Sequence, residues 1–290
     1  MRSIDLESLE IFRAVAVEGG VIRAAVKLNR VQSNVTTRIK QMEQRLGRSL
    51  FRKQGRGLVL SPEGELLLTY AQRLFRIADE AENELRSGRA IGVLRIGSLE
   101  STAGSRLAPI LSRYHREHPG VIVELATGTT GALLQRVAQF EIEAAFVSEP
   151  FTPDGLSSVK VFEEELVLIT ARDVAPVRSA ASLAGMSVVA FAAGCSYRKR
   201  LEDWLGASAL LPARTLELAS YQAMIACVAA GTGFAVVPRS LLLSLKAAKE
   251  VRQHELPARI RRNHTHLVWK GVPSAALSRL QELLPRPVPS

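Results

Sequence analysis

Residues 30–41 read RVQSNVTTRIKQ, a polar and basic stretch whose sparse apolar residues follow a regular spacing. Counting on to the next glycine, these apolar residues are Val31, Val35, Ile39, Met42 and Leu46. Steps of three and four predict a helix with one narrow apolar stripe. The remaining face is rich in Ser, Thr and Asn, which are mediocre helix formers. A helix that served only solubility would favour Glu, Lys and Ala, so this face indicates contact with a partner.

The flanking sequence predicts a small domain built around this helix. An apolar repeat over residues 6–16 predicts a first helix, a short second helix follows, and Asn29-Arg30 turns the chain. After the polar helix, two strand-like runs flank Gln-Gly-Arg-Gly at 54–57, a good hairpin turn. Three helices followed by a two-stranded hairpin predict a mainly α winged helix-turn-helix over residues 1–60.

Positive charge is concentrated in the same segment. The 290-residue chain has a formal net charge of +10, and between Arg23 and Arg56 ten basic residues stand against one acid, Glu43. A solvated surface usually mixes charges, so this excess favours an acidic partner such as double-stranded DNA or an anionic membrane. Short polar side chains can pair with base edges in the major groove, while Lys and Arg reach phosphates. The predicted DNA contacts are Gln32, Ser33, Asn34, Thr36, Thr37, Arg38, Lys40, Arg52, Lys53 and Arg56.

Residues 61–90 are predicted to form a linker helix that dimerises. Ser61-Pro62-Glu63 combines an N-cap hydroxyl, a proline at the first helical position and an acid in the first turn. Apolar residues then step by three and four along the helix, at Leu67, Tyr70, Leu74, Ile77, Ala81 and Leu85. This heptad-like seam suits pairing with a second helix. The alternative is a long core helix of one domain.

From residue 91 to residue 290 the pattern changes to strands that alternate with helices. Such alternation predicts parallel sheets covered by helices, and its repetition divides the segment into two α/β lobes. Lobe 1 is assigned to 91–162 and 264–290, and lobe 2 to 163–263, so the chain crosses between the lobes twice. A two-lobed domain of the periplasmic-binding-protein type leaves a cleft at the carboxyl ends of its strands, where a ligand is expected.

Motifs for catalysis are weak in this chain. The SxxK match at 196–199 has no partner motifs, and Gly-Thr-Gly at 231–233 lacks the third glycine of a dinucleotide fingerprint. His264 and His266 could flank a metal, but no Cys or carboxylate lies close in sequence, so a solvated pair beside nearby arginines is favoured. We therefore predict no enzyme activity, no metal site and no cofactor.

Cysteine usage and hydropathy predict a cytoplasmic protein. Cys195 and Cys227 lie outside any CxxC or Cys/His cluster, which is typical of reduced thiols. The N-terminus MRSIDLESLEIF lacks the apolar core of a signal peptide, and no run approaches the ~18–20 apolar residues of a membrane span. No membrane association is expected.

Longer phrases of the sequence follow a known pattern: a helix, an Ala-Ala pair, a Gln near the start of a recognition helix, LExxLGxxLF and an Arg-rich wing. They begin with LEIFRAVAVEGGVIRAAVKLNRVQSNVTTRIKQMEQRLGRSLFRKQGRGLVLSPEGE and continue through GVLRIGSLESTA, GTTGALLQRV, FAAGCSYRKRLEDWL and SYQAMIACVAAGTGFAVVPRSLL. Essentially the whole chain thus resembles the LysR-type transcriptional regulators. SNVTTR and LESTA also resemble a subgroup that includes regulators of putrescine and succinate-semialdehyde metabolism. Met42 replaces the family's Leu, and Ser-Asn-Val-Thr-Thr at 33–37 replaces a Pro-Ala-Val-Ser type of run.

This resemblance implies a sequence-specific transcriptional regulator controlled by a small effector bound between the two lobes. It also implies homodimers, usually paired as homotetramers, that bend promoter DNA, with RNA polymerase as a further partner. Carried over by position, the effector-binding residues are Ser98, Glu100, Ser101, Thr102, Thr129, Thr130, Cys195, Ser196, Tyr197 and Ser220. Each hydroxyl could equally be an ordinary helix cap. Glu100 is unusual for an anion site, which leaves both an amine and a small carboxylate as effector classes.

Two other interpretations stay open at this point. One is a two-lobed small-molecule binding protein without a role on DNA, which would leave the basic N-terminal segment unexplained. The other is a small enzyme built on the α/β lobes, for which the sequence offers no catalytic constellation.

Overall fold

The computed structural model describes residues 4–54, 57–87 and 92–285, without the side chains at 79, 80 and 83–87. It divides into two compact units, Met1–Gly88 and Arg89–Ser290, and each is described by itself. Within the described ranges, no helix is both long enough and apolar enough to cross a membrane.

The first unit is a winged helix-turn-helix followed by a long helix. Its elements are α1 Leu6–Glu18, α2 Val21–Lys27, α3 Gln32–Leu46, β1 Phe51–Gln54, β2 Gly57–Leu60 and α4 Pro62–Ser87. Strands β1 and β2 pair antiparallel as the wing. Asp5 caps α1 by accepting a 2.8 Å hydrogen bond from the Ser8 backbone N–H, and this bond holds the pKa of the Asp5 carboxyl below its usual range.

Helix α3 packs on α1 and α2 through a shorter apolar stripe than the spacing predicts. Val35, Ile39 and Met42 are buried in the core of this unit. Val31, by contrast, is the extended N-cap residue that precedes the helix, and 72% of it is exposed. The prediction that Val31 belongs to the apolar stripe of the helix is therefore wrong, because a residue outside the helix does not share its periodicity.

Two polar side chains fix the wing and α4 against the rest of the unit. The Glu43 carboxylate on α3 accepts hydrogen bonds from the backbone N–H groups of Leu50 at 2.7 Å and Phe51 at 3.4 Å. The buried Ser61 hydroxyl accepts from the Gly64 N–H at 3.0 Å and donates to the Ser49 carbonyl at 2.6 Å. The lone acid of the basic segment thus has a structural role, and the predicted N-cap of α4 is confirmed.

Helix α4 carries two neighbouring apolar faces. One face packs on the core of its own unit through Leu67, Leu68, Ala71 and Phe75. The other face is exposed and consists of Leu66, Tyr70, Leu74 and Ile77. The seam predicted from the sequence combines residues of both faces, since Leu67 belongs to the packed face and Tyr70, Leu74 and Ile77 to the exposed one. The side chain of Leu85 is not among those that the structure describes.

The second unit begins with lobe 1. Its elements are β3 Gly92–Ser98, a helical turn α5 Glu100–Thr102, a π-helical turn Ala103–Leu107, α6 Ala108–Glu117, β4 Val121–Thr127, α7 Thr130–Ala138 and β5 Ala144–Ser148. The turn α5, the π turn and α6 follow one another without a break. Strand β3 lies between β4 and β5 and is parallel to both.

Strand β6 Ser157–Thr170 leads out of lobe 1 into lobe 2. Lobe 2 then contains a 3-10 turn Ala180–Leu183, β7 Val188–Ala190, α8 Ser196–Gly206, β8 Thr215–Glu217, α9 Tyr221–Ala229, β9 Ala235–Pro238, α10 Arg239–Ser244, β10 Arg252–Glu255 and α11 Ala258–Arg261. The chain returns to lobe 1 through β11 Arg262–Trp269 and ends its described part with α12 Ala275–Glu282.

The sheets are mixed, which corrects the prediction of parallel sheets. The main sheet has the order β10-β6-β11-β5-β3-β4 with β9 also on β6, and β7 pairs with β8 separately. Only β3–β4, β3–β5 and β7–β8 are parallel ladders among the paired strands of this unit. Strands β6 and β11 run antiparallel because the chain leaves lobe 1 along one and returns along the other. These two strands form the hinge, and their register shifts between Thr265 and His266.

Candidate nucleic-acid interface and ligand cleft

The polar face of α3 is open to solvent. Gln32, Ser33, Asn34, Thr37 and Lys40 are all exposed. None of these side chains makes a hydrogen bond or ion pair with another described residue, so their donors and acceptors are free to meet base edges or phosphates.

Thr36 and Arg38 are half-buried and already have partners inside the unit. The Thr36 hydroxyl donates to the Gln32 carbonyl at 3.0 Å, which leaves its oxygen as an acceptor. Arg38 lies 3.5 Å from the Glu7 carboxylate on α1, and Arg30 lies 2.8 Å from the same group. Arg38 therefore also links the polar helix to α1.

The wing presents two of the three predicted phosphate contacts. Arg52 and Lys53 are exposed on β1, and the Arg52 Nε donates to the Leu60 carbonyl across the hairpin at 3.4 Å. Arg56 lies outside the described residues.

The predicted effector residues lie where the helices of the two lobes begin. In lobe 1 they stand at the start of α5 and of α7, and in lobe 2 at the start of α8 and of α9. Seven of them are buried: Ser98, Ser101, Thr102, Thr130, Cys195, Ser196 and Tyr197. Glu100, Thr129 and Ser220 are partly exposed. Ser98 donates to the Leu99 carbonyl within lobe 1 at 2.9 Å, and Thr102 is buried in the same lobe.

Four contacts close the cleft between the lobes. The Ser101 and Tyr197 hydroxyls are 3.5 Å apart, and Thr130 Oγ1 donates to Ser196 Oγ at 3.5 Å. The Gly131 N–H donates to the Gly194 carbonyl at 3.4 Å. The Glu100 carboxylate accepts the backbone N–H of Tyr221, at 3.1 and 3.3 Å from its two oxygens. Hydroxyls predominate among the predicted effector residues, and the one carboxylate in this set, that of Glu100, faces the start of α9.

Burial shifts the titration of this lining. It raises the pKa of the Glu100 carboxyl, an effect that the Tyr221 N–H only partly offsets. Burial also raises the pKa of the Tyr197 and Tyr221 hydroxyls and of the Cys195 thiol. The phenols and the thiol are neutral at pH 7, so the thiol is a poor nucleophile.

Sequence reasoning missed the polar residues that support the cleft from the hinge. Asn263 on β11 donates through Nδ2 to Ser148 Oγ at 2.6 Å, and the Ser148 backbone N–H donates to Thr130 Oγ1 at 3.3 Å. On the far side of the hinge, Arg106 of the π turn contacts buried Glu164 at 2.7 Å, and Ser240 of α10 donates to the same carboxylate at 2.6 Å. No local motif marks these residues, because their partners come from distant strands and helices.

The two histidines of β11 also have an unpredicted partner. Glu149, which follows β5, lies 3.2 Å from His264 Nδ1 and 2.8 Å from His266 Nε2. The Arg200 guanidinium of α8 lies 3.7 Å from the same carboxylate. The interpretation of a solvated histidine pair is therefore wrong. No group of His, Cys, Asp and Glu within the described part of the chain is arranged to hold a metal ion.

Family models match both units. The model described as "Bacterial regulatory helix-turn-helix protein, lysR family" matches residues 6–65, and that described as "LysR substrate binding domain" matches residues 87–286. The chain belongs to the LysR family. It is a DNA-binding transcriptional regulator that joins a helix-turn-helix domain to an effector-binding domain of two α/β lobes.

Relatives agree with this membership along most of the LysR-family chain. It is 35% identical over 254 residues to the HTH-type transcriptional regulator GltR of Bacillus subtilis (strain 168), covering 87% of this chain and 86% of the relative. The fold resembles the crystal structure of ArgP from Mycobacterium tuberculosis, with a TM-score of 0.76 at 17% identity, covering 97% and 96% of the two chains. It also resembles full-length CbnR complexed with its target DNA, with a TM-score of 0.66 at 21% identity, covering 97% and 99%.

Proposed function

We propose that the N-terminal half of α3 reads base edges in the major groove of promoter DNA, with the wing on the backbone. The observation that carries this proposal is the exposed, unpartnered row Gln32, Ser33, Asn34 and Thr37 on a strongly basic unit. Thr36 and Arg38 adjoin this row, and Lys40, Arg52, Lys53 and Arg56 supply positive charge for phosphates. A protein of related fold, full-length CbnR, forms a complex with its target DNA, which supports DNA binding by this chain.

The test is a gel shift on the promoter of the protein's own gene or of the adjacent gene. Thr37→Ala and Gln32→Ala should each weaken operator binding by about 1–3 kcal/mol and leave binding to random DNA nearly unchanged. The matched control is Gln44→Ala, an exposed residue in the C-terminal half of α3, which should bind the operator like the wild type. If all three variants lose affinity equally, the base-reading role of the N-terminal half is wrong.

The wing is tested by salt dependence. Arg52→Ala should weaken binding to all sequences alike. It should also make the negative slope of log K against log[salt] shallower by about 1, because one phosphate contact is lost. Arg95→Ala removes an exposed arginine paired with Glu124 in the other unit, and it should leave the slope unchanged. A loss of affinity confined to one operator would contradict a phosphate role for Arg52.

For the second unit, we propose that a small organic ion, an amine or a carboxylate, binds between the lobes against the ten predicted effector residues. Four cross-lobe contacts join these residues or their neighbours, and this convergence supports a shared site. Binding would change the closure of the lobes, and hence how subunits present their helices to DNA. The organisation proposed is 1–60 for DNA binding, 61–90 for linkage and dimerisation, and 91–290 for effector binding.

The cellular setting proposed is regulation in the cytoplasm, where promoter DNA and RNA polymerase are found. The exposed face of α4 supports a homodimer, which can pair into a tetramer. Regulation without catalysis is proposed because the clustered cleft residues are hydroxyls that hydrogen-bond one another, with no activated nucleophile and base among those described.

A further inference from the structure

The cleft residues carry a single formal charge. Of the ten residues assigned to the effector, nine are neutral at pH 7 and the tenth is Glu100. Its carboxylate is partly buried, and its hydrogen-bond partner among the described residues is one backbone N–H, that of Tyr221. No lysine, arginine or histidine in the described ranges lies within ion-pair distance of it. A half-buried carboxylate without a counter-charge is costly, and a bound cation would remove that cost.

The arginines closest in sequence to the cleft loops are committed elsewhere. Arg198 pairs with Glu202 and Glu217, at 2.7 and 2.8 Å. Arg106 is held by Glu164, and Arg200 by the Glu149 carboxylate and three backbone carbonyls. Arg198 lines the same cavity as Cys195, Tyr197 and Tyr221, so an anionic effector would have to compete with two carboxylates for it or bind to backbone N–H groups.

Three of the four helix N-termini at the cleft are poorly placed for an anion, while the fourth, that of α8, has Cys195 as its N-cap and no side-chain cap hydrogen bond. Helix α7 is capped by Thr129 Oγ1, which accepts from the Ala132 N–H at 3.4 Å. Helix α9 is capped by Ser220 Oγ, which accepts from Ala223 at 3.4 Å, and its first N–H already points to Glu100. The remaining start in lobe 1 is α5, whose first residue is Glu100 itself, so an anion there would meet a like charge.

The hinge beside the cleft has spare acceptors. Asn263 Oδ1 and Thr265 Oγ1 on β11 are completely buried and have no hydrogen-bond partner. Asn263 is one hydrogen bond from Ser148, whose N–H contacts the cleft residue Thr130. The amide oxygen can only accept a hydrogen bond and the hydroxyl can accept or donate one, so both can pair with a ligand that brings hydrogen-bond donors.

We propose that the effector is a small aliphatic amine whose ammonium group pairs with the Glu100 carboxylate. This inference rests on the proposed effector role of the cleft and chooses between the two ligand classes considered there. The carboxylate oxygens keep lone pairs beyond those used by the Tyr221 N–H, so an ammonium group can bind without breaking that contact. An amine of suitable length would also offer donors to the hydroxyls of the opposite lobe.

The test uses thermal unfolding of the full-length protein at pH 7.5 and constant ionic strength. The probes are 1,4-diaminobutane and 1,5-diaminopentane, compared with pentanedioate and with uncharged 1,5-pentanediol. An amine should raise Tm saturably, by about 5 °C or more at a concentration a hundredfold above its Kd. The dicarboxylate and the diol should leave Tm unchanged.

Two variants locate the binding. Glu100→Gln keeps an acceptor for the Tyr221 N–H but loses the charge, so it should weaken amine binding at least about tenfold. The control Glu117→Gln removes a carboxylate that pairs with Arg113 on the outside of α6, and its amine response should match the wild type.

Three outcomes would overturn the amine assignment: no Tm rise with either diamine, a rise with pentanedioate alone, or an equal rise in Glu100→Gln and wild type. A rise with pentanedioate alone would leave the cleft's effector role standing. A failure of the DNA-binding proposal is detected separately. It would appear as the absence of selective operator binding in a gel shift to which no diamine, pentanedioate or pentanediol is added.

Discussion

At the scale of single residues, the pKa values of Glu100 and Glu149 are shifted in opposite directions. Burial raises the pKa of both carboxyls, but the hydrogen bonds from His266 and His264 outweigh this effect at Glu149 and lower its pKa overall. Glu100 has only the Tyr221 N–H to stabilise its charge, so its pKa stays raised. The same side chain therefore contributes to stability in different pH ranges at the two positions.

Glu149→Gln should destabilise the effector-binding unit by about 1–2 kcal/mol at pH 7, because the histidines and Arg200 lose a charged partner. A lowered folded pKa means that the contribution is present above the ordinary value of 4.5 and is lost as the pH falls through the folded pKa. The Tm difference between wild type and variant, measured from pH 8 down to pH 4, should shrink towards acid. Glu255→Gln, an exposed control paired with Arg261, should shift Tm little at any pH.

Glu100→Gln should behave in the reverse way. Because the folded pKa is raised, the stability that protonated Glu100 contributes is present at acid pH and is lost as the pH rises through the folded pKa. The amide variant should therefore be as stable as the wild type, or more stable, at pH 7.5. A marked loss of Tm at pH 7.5 without any amine would contradict a desolvated, unpaired charge at this position.

Gly64→Ala should disrupt the first unit. A Cβ on Gly64 would lie 2.1 Å from the Leu50 carbonyl oxygen, a backbone atom held in place by the wing. We expect a loss of about 1–3 kcal/mol and weakened DNA binding. Tryptophan fluorescence reports on the other unit, to which both tryptophans, Trp204 and Trp269, belong, so the loss in this unit is measured as the part of the circular dichroism change during urea unfolding that fluorescence does not follow. Gly57→Ala, whose Cβ would have its nearest contact at 3.6 Å, is the control and should unfold like the wild type.

At the scale of elements, α4 has both roles that its sequence allows: it is a core helix of its own unit, and it carries an apolar face suited to dimerisation. Leu67, Leu68, Ala71 and Phe75 pack on its own unit, as in a core helix, while the adjacent exposed face suits a partner. One helix can do both because a single apolar repeat wide enough to cover two neighbouring faces still leaves a polar third face.

Leu74→Glu should therefore weaken self-association without unfolding the unit, because 44% of Leu74 is exposed in the single chain. Light scattering after size exclusion should show a shift towards monomer at equal protein concentration, with an unchanged circular dichroism spectrum. Glu65→Gln, on the opposite side of α4, should keep the wild-type mass. An unchanged mass for Leu74→Glu would contradict pairing through this face.

At the scale of the effector-binding unit, one buried carboxylate joins both lobes to the hinge. Glu164 on β6 is 3% exposed and contacts Arg106 of lobe 1 and Ser240 of lobe 2, at 2.7 and 2.6 Å. Arg106 belongs to the π turn that directly follows the Glu100 turn, so one helical segment contacts both the cleft and the hinge. Single π-helical turns within a helical segment are frequent at functional sites.

Arg106→Met should cost about 3 kcal/mol, because it leaves the Glu164 charge buried without its cation. The double variant Arg106→Met/Glu164→Gln should recover much of this loss, since no charge is then left unpaired. The free energy of unfolding of the wild type, of each single variant and of the double variant is measured by tryptophan fluorescence during urea unfolding. Arg113→Met, which breaks an exposed pair with Glu117, should cost less than about 0.5 kcal/mol. Equal losses in the single and double variants would contradict a coupled pair.

The sequence by itself determined the features that depend on neighbours along the chain. The repeat of Val35, Ile39 and Met42 predicts the buried face of α3, and Ser61 predicts the start of α4. The alternation of strands and helices predicts two α/β lobes. Helix periodicity, N-caps and strand–helix order are properties of a few consecutive residues, so the sequence suffices to recognise them.

Only the tertiary structure decided what each polar side chain meets. Glu100 finds the Tyr221 N–H across 121 positions, and Glu149 finds His264 and His266 across 115 and 117. The antiparallel hinge and the exposure of Val31 were likewise not visible in the local pattern. Partners this far apart depend on the path of the whole chain, because electrostatic and hydrogen-bonding energies follow distance in space and not separation in sequence.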